Sequence, residues 1–345
     1  MTGRSLFYGS IKSIFRLISD QYRADDRPWY IGFSGGKDSS ALFAAVYSAL
    51  AGLQHFHKQI VILYCDTGVE IPVVAEYVRA TLLRIRKQAK QDGLPIETKI
   101  VRPRISDRFF VKLIGRGYPP PTNKFRWCTD RLRVGPVRRE INRASSAASL
   151  MLLGTRWNES PERTRTLTRF LIGGRNYFKQ DGNSRTTIFA PLADLSTKQI
   201  WEFLHSRSIP RALDVAELSA LYRSASGGAC PGRCDNCLVC KSSRFGCWTC
   251  TVVRKDRAVS NMVNDGHPQL APLLNFRNWI ASLRDQPRFR HKRRRNGSPG
   301  LGPFTIKARE AILSRLKETE QQTPWRLILP IEVQHIKKCW ESDDA

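Results

Sequence analysis

Short apolar runs alternate with longer amphipathic stretches through roughly the first 205 residues. The runs at 29–33, 60–65, 96–101 and 150–154 predict buried strands, and the stretches between them, 39–50, 72–91, 105–115 and 129–143, predict helices. Each helix is long enough to carry the chain back for the next strand to run parallel to the last. Ahead of them, 5–22 predicts an amphipathic helix packed against the sheet. The expectation is a doubly wound α/β fold, its last helix running through Trp201-Glu202-Phe203-Leu204 with Ser196 or Thr197 as cap.

From Gly227 the texture changes to glycine, cysteine and short polar residues, which build no ordinary core but can be pinned by a metal centre. Beyond lie the basic run Arg288-Phe289-Arg290-His291-Lys292-Arg293-Arg294-Arg295, a Gly/Pro-rich turn at 297–303 and a helix from 305 to about 320. The expected division is 1–226 for the nucleotide-type domain, 227–260 for the cysteine-rich segment and 261–345 for a basic helical C-terminal region.

Between the first strand and its helix stands Ser34-Gly35-Gly36-Lys37-Asp38-Ser39-Ser40. Two glycines let the backbone wrap an anion with its N–H groups inward, Ser34 and Ser39 add hydroxyls, Lys37 adds charge, and the helix dipole favours the anion. The spacing is not that of a Walker loop and suits a bound pyrophosphate. A tight turn using glycine for geometry alone leaves Lys37 and Asp38 without a purpose. Asp66 and Thr67 end the second strand and Gly154-Thr155-Arg156 the fourth, at the edge where open α/β sheets bind ligands. Asp66 and Thr67 are expected at ATP or its Mg2+, and Arg156 at the α-phosphate; a helix cap and a surface ion pair are the plain alternatives. The charges Glu159, Arg163 and Arg165 fit a solvated face as well as a site.

Composition narrows the partners. Of 345 residues 41% are hydrophobic, enough for a core without disulfides, and 57 Lys and Arg against 30 Asp and Glu give a net charge of +27. Such an excess repels itself, and a polyanion, nucleic acid first, relieves it. No apolar stretch reaches the length of about 18 residues that spans a bilayer, and the chain start has no apolar signal core, so a cytoplasmic protein without a membrane partner is expected.

Of nine cysteines, Cys230, Cys234, Cys237, Cys240, Cys247 and Cys250 fall in one segment. In a reducing compartment this argues for metal or redox chemistry, and Cys247, Cys250, Cys240 and Cys230 satisfy the ligand count of zinc and of an iron–sulfur cluster alike. Cys128, opening a helix near Arg126 and Arg131, is expected to have a lowered pKa suited to a nucleophile, a sulfur carrier or a cluster ligand; an ordinary half-buried cysteine is the alternative. Cys65 reads as strand core and Cys339 as incidental.

Several strings together resemble the PP-loop ATP pyrophosphatases related to phosphoadenosine-phosphosulfate reductases, with an adenine nucleotide alpha hydrolase-like fold. They are Cys65-Asp66-Thr67-Gly68-Val69-Glu70-Ile71-Pro72, Trp127-Cys128-Thr129-Asp130-Arg131-Leu132, and Gly154-Thr155-Arg156-Trp157-Asn158-Glu159-Ser160. Within that group Ser243-Arg244-Phe245-Gly246-Cys247-Trp248-Thr249-Cys250 and Pro299-Gly300-Leu301-Gly302-Pro303-Phe304-Thr305 resemble the DndC-like DNA phosphorothioation sulfurtransferases. The resemblance implies a [4Fe–4S] cluster on Cys230, Cys240, Cys247 and Cys250, with Cys234 and Cys237 as additions that bind zinc or relay a persulfide. It also implies ATP cleavage to AMP and pyrophosphate by Lys37, Asp38, Asp66, Arg156 and Cys128, and sulfur transfer to DNA in a restriction-modification or anti-phage system. The implied partners are DNA, a cysteine desulfurase and other phosphorothioation proteins. The basic run and the helices carrying Arg84, Arg86, Lys87, Arg138 and Arg139 would meet the DNA backbone, unless the run is a solubilising tail. A phosphosulfate reductase, a tRNA thiolase and a non-enzymatic DNA-binding module are the rival functions.

Overall fold

The computed structural model describes residues 3–144, 147–180, 185–228 and 245–342. Strands β1 (Trp29–Gly32), β2 (Ile60–Cys65), β3 (Ile96–Val101), β4 (Ser149–Leu152), β5 (Leu171–Gly173), β6 (Tyr177–Lys179) and β7 (Thr186–Phe189) form one sheet in the order β3-β2-β1-β4-β7-β6-β5. The pairs from β3 through β7 are parallel, whereas β5 and β6 add an antiparallel hairpin at the far edge. The central strands are continuously apolar because both faces are covered. Trp29, Ile31, Ile60, Ile62, Leu150 and Leu152 meet the large core, while Tyr30, Leu63, Val101 and Met151 meet Ile141 on the other side.

Helices α1 (Gly3–Arg23), α2 (Lys37–Ala51), α3 (Pro72–Gln91) and α6 (Thr197–Leu204) supply the large core, and α4 (Gly135–Ala144) covers the smaller face. Helix α5 (Pro161–Phe170) packs on the edge hairpin, and α7 (Val215–Ala225) precedes the cysteine segment. Ser196 is the cap of α6: its hydroxyl accepts from Gln199 N–H at 3.2 Å and the Gln199 side chain accepts from Ser196 N–H at 2.8 Å. Chain order reverses about β1, which lies between β2 and β4, so the loop after β1 opens at the switch point where such sheets bind ligands.

Two expected helices are different. Residues 105–115 form a single 3-10 turn, Ile105–Asp107, and a wide π turn, Val111–Gly115, because later parts of the chain take their backbone groups. Trp340 Nε1 donates to the Ile114 carbonyl at 2.9 Å and Arg309 to that of Gly115 at 3.0 Å. Residues 129–143 open as a π turn, Thr129–Val134, before α4, since Pro136 has no N–H to continue the bonding register.

The chain after the cysteine segment is built into the same core. Helices α8 (Arg257–Asn264), α9 (Ala271–Leu283), α10 (Ile306–Gln321) and α11 (Pro330–Glu341) bury Met262, Phe276, Ile312, Leu316 and Ile336 in one cluster with β1 and α2. The basic run is not a tail. It forms one arm of a hairpin, with His291 N–H donating to Pro303 at 2.9 Å and Arg294 N–H to Ser298 at 2.9 Å. Arg290 is buried within it, donating to the Gly302, Leu301 and Arg284 carbonyls, whereas Arg288 and residues 291–295 are exposed. No helix among the described residues is long and apolar enough to cross a membrane.

Ile336 is fully buried against Gly115, so Ile336→Ala should cost about 2–5 kcal/mol through the cavity it leaves. Urea unfolding followed by far-UV circular dichroism should show that loss in one transition, because α11 shares its core with the sheet.

Candidate functional site

The loop after β1 has the backbone of an anion cradle. Gly35 sits at φ +73°, and a Cβ there would meet Val78 Cγ2 at 2.1 Å, so glycine is required both for the turn and for the close approach of α3. Gly36 is extended ahead of α2 and, as its N-cap, has no side chain to offer the first turn, so the positive end of the helix dipole faces the loop. The Ser39 hydroxyl donates to the Gly36 carbonyl at 2.9 Å and lies 3.1 Å from that of Ser34, and Ser34 N–H donates to it at 3.2 Å. The two serines therefore close the loop on itself. Lys37 N–H donates to the Tyr222 hydroxyl at 3.2 Å, and its ammonium lies 5.5 Å over the same ring.

Asp38 stands between two cations: Lys37 Nζ at 2.9 Å and Arg156 Nε at 2.8 Å. Arg156, 3% exposed, also donates to the Leu195 carbonyl and the Thr197 hydroxyl, each at 3.1 Å. All its nitrogens are engaged, so it braces the loop from the end of β4; the surface ion pair weighed for it is a buried one. Gly154 lets this happen, since a Cβ there would stand 2.5 Å from the Asp38 carbonyl oxygen.

Asp66 and Thr67 follow β2, but the Asp66 carboxylate turns toward Arg102 at 3.1 Å and Arg79 at 3.3 Å, and accepts from Gly68 N–H at 3.2 Å. The Thr67 hydroxyl donates to Glu70 at 2.5 Å. Both residues line a cavity of about 490 Å³ with Arg79, Arg102, Trp248 and Trp325. Among the described residues no group of three or more His, Cys, Asp or Glu is arranged to hold a metal ion.

Of the four expected cluster ligands, Cys230 and Cys240 lie outside the described residues, as do Cys234 and Cys237. Cys247 and Cys250 share a turn closed by Cys250 N–H on the Cys247 carbonyl at 2.9 Å, docked on the second strand's loop through Trp248 N–H to Val69 at 3.0 Å. Arg133 donates to Cys247 Sγ at 3.5 Å. Burial, with Glu70 adding, pushes the Cys247 thiol up to about 11 even against Arg133. Cys128 is raised rather than lowered, because burial and then Cys250 outweigh Arg126, while Arg131 is turned to Asp107 at 3.5 Å. Cys65 donates to the Leu132 carbonyl at 3.0 Å and is pushed up to about 12 by burial and Glu70.

Tyr222, Thr197, Glu70, Arg79 and Arg133 escaped the sequence reading. Thr197 was read only as an alternative cap to Ser196 and Glu70 stood inside a recognised string, but Tyr222 carries no local signal: it reaches the loop from 185 residues away in the chain. Glu159, in the 3-10 turn Trp157–Glu159 just before α5, pairs with Arg163 at 3.2 Å; its side chain is largely covered while that of Arg163 is exposed, so only the arginine lies on a solvated face.

Two outcomes follow from this geometry. Gly154→Ala forces the Asp38 backbone aside and should raise the Kd for ATP by at least about tenfold, roughly 1.4 kcal/mol, with far-UV circular dichroism retained; calorimetric titration reads it. With its pKa raised, Cys65 stays a neutral thiol at pH 8 and ionises only toward pH 12. Its alkylation by iodoacetamide at pH 8, followed by peptide mass spectrometry, should be at least about thirtyfold slower than that of a free thiol.

Known proteins share parts of this chain. An uncharacterised protein of Methanocaldococcus jannaschii is 26% identical over 193 residues, 56% of this chain, which spans about a third (34%) of that relative. The U34-tRNA thiolase NcsA of Methanococcus maripaludis, solved with its [4Fe-4S] cluster, aligns over 80% of both chains at 13% identity and a TM-score of 0.34; a superposition that loose carries no argument. The phosphoadenosine phosphosulfate reductase domain matches residues 28–253, from the residue before β1 to just past the Cys247 turn, and the chain belongs to that family.

Proposed function

We propose that this chain is an ATP pyrophosphatase and sulfurtransferase that activates a DNA backbone phosphate for phosphorothioate formation, within a DNA modification and anti-phage defence system. The observation that carries the nucleotide reading is the loop at 34–39: a positive-φ glycine, an uncapped helix start and a buried lysine within one turn. Amides of such a loop hold the β- and γ-phosphates as leaving group. A non-bridging oxygen of the DNA phosphate attacks the α-phosphorus, the bond to the bridging oxygen breaks, and pyrophosphate departs. A persulfide sulfur, brought by a cysteine desulfurase, then attacks the adenylated phosphate and displaces AMP. A thiol finally cleaves the S–S bond and leaves the sulfur on phosphorus.

Lys37 neutralises the departing phosphates, while Asp38 and Arg156 hold Lys37 and the loop in place. Asp38 faces two cations and Asp66 two more, so Mg2+ in this reading rides on the triphosphate oxygens rather than on these carboxylates. Cys247 and Cys250, close in one turn, would with Cys230 and Cys240 hold a [4Fe–4S] cluster. Such a cluster supplies iron able to carry sulfur near the reacting phosphate. The charge of +27 and the exposed basic hairpin favour a polyanionic substrate over a small phosphosulfate.

Lys37→Ala should abolish, by at least about a hundredfold, the DNA-dependent release of AMP and pyrophosphate by anaerobically purified protein supplied with its sulfur donor and partner proteins. Labelled ATP and thin-layer chromatography read it. Sulfite release from a phosphosulfate, or thiolation of tRNA in place of DNA, would overturn the proposal.

A further inference from the structure

A row of aromatic rings outside the phosphate loop has no part in the chemistry above. Phe125 is 46% exposed and lies nearly parallel to Tyr118, with centroids 6.4 Å apart and planes at 17°. Tyr118 meets Trp127 edge-on at 5.5 Å, and Trp127 stacks on buried Phe109 at 5.5 Å and 21°. The row thus begins at the surface with Phe125 and ends in the core at Phe109, passing through Trp127, the residue before Cys128.

The loop that carries it is held firmly. Pro119, Pro120 and Pro121 restrict its backbone, and Phe125 and Thr122 exchange both main-chain hydrogen bonds at 3.2 Å. Trp127 Nε1 donates to the Pro119 carbonyl at 3.0 Å, and the Thr251 hydroxyl to that of Pro121 at 2.7 Å. The second bond ties the platform to the turn carrying Cys250.

Cations surround the exposed ring. Lys124 and Arg126 flank it and are exposed. The Arg295 guanidinium lies 5.2 Å over the Tyr118 ring and also donates to the Arg116 carbonyl, while Phe304 N–H donates to Gly117 at 2.7 Å. The basic hairpin and the aromatic loop are therefore one surface.

We propose that this surface is a base-stacking platform: Phe125 receives the face of a DNA base unstacked from its neighbours, while Lys124, Arg126 and the exposed hairpin cations hold the adjoining phosphates. The inference rests on the DNA reading above and adds that the strand is locally unpaired where it is bound. Paired bases offer only their edges in the grooves, whereas an unstacked base offers a π-face, which is what an exposed ring backed by a second ring accepts. An acidic protein surface would complement the charge but leave the ring without a partner.

Fluorescence anisotropy at fixed salt, with full-length protein purified anaerobically, tests this on a labelled single-stranded DNA oligonucleotide, its duplex and the matching RNA strand. Phe125→Ala should weaken single-strand binding by about five- to a hundredfold and duplex binding by less than about twofold, and Phe125→Trp should restore it. The melting temperature of Phe125→Ala should match that of the unaltered chain. Unchanged single-strand affinity, an equal loss for the duplex, or tighter binding of RNA than of DNA would overturn the platform. AMP formation measured in parallel separates the two readings: if it persists with DNA while stacking fails, only this inference falls. If Phe125-dependent binding survives without AMP formation, only the proposed reaction falls.

Discussion

The half-buried carboxylate of Asp38, clamped between Lys37 and Arg156, is the contact on which the arrangement of the site depends. It joins the loop after β1 to the loop after β4, the two sides of the point where chain order reverses. Removing the carboxylate would leave two largely buried cations, Lys37 and Arg156, without the anion they share. The clamp therefore fixes the shape of the loop, and a ligand there would find little conformational freedom left to remove. Gly154 and Gly35 belong to the same constraint, because each permits a backbone approach that any side chain would block.

The parallel sheet and the glycine turn after β1 were legible because their signals are local. A continuous apolar run such as 60–65 followed by Asp66-Thr67-Gly68, or 29–33 followed by Ser34-Gly35-Gly36, announces a strand, a turn and a ligand edge within a dozen residues. Strand β7 was not legible, since Thr186-Thr187-Ile188-Phe189 is short and half polar and owes its place to the ladder with β4. The π turn at Val111–Gly115 was missed for the same reason, since Trp340 and Arg309 reach its carbonyls from far along the chain, whereas the one at Thr129–Val134 had a local mark in Pro136. The lowered pKa expected of Cys128 failed because neighbouring charges can be counted in a sequence, whereas burial cannot.

The basic run shows how composition misleads about architecture. Eight residues rich in arginine read as a tail or a contact surface, yet Arg290 is a structural residue whose guanidinium satisfies two carbonyls of its own hairpin and that of Arg284 at the end of α9. Its neighbours remain at the surface, so one run both holds the hairpin together and presents its charge.

Tyr222 links parts of the molecule that a diagram would draw separately. Its hydroxyl takes the amide of Lys37, and its ring packs 4.5 Å from Phe245, two residues before Cys247. A shift in the backbone beside the thiols is thus handed through a single phenol to the first turn of α2. One substitution at Tyr222 would therefore loosen two stretches far apart in the chain, the turn after β1 and the backbone leading into Cys247.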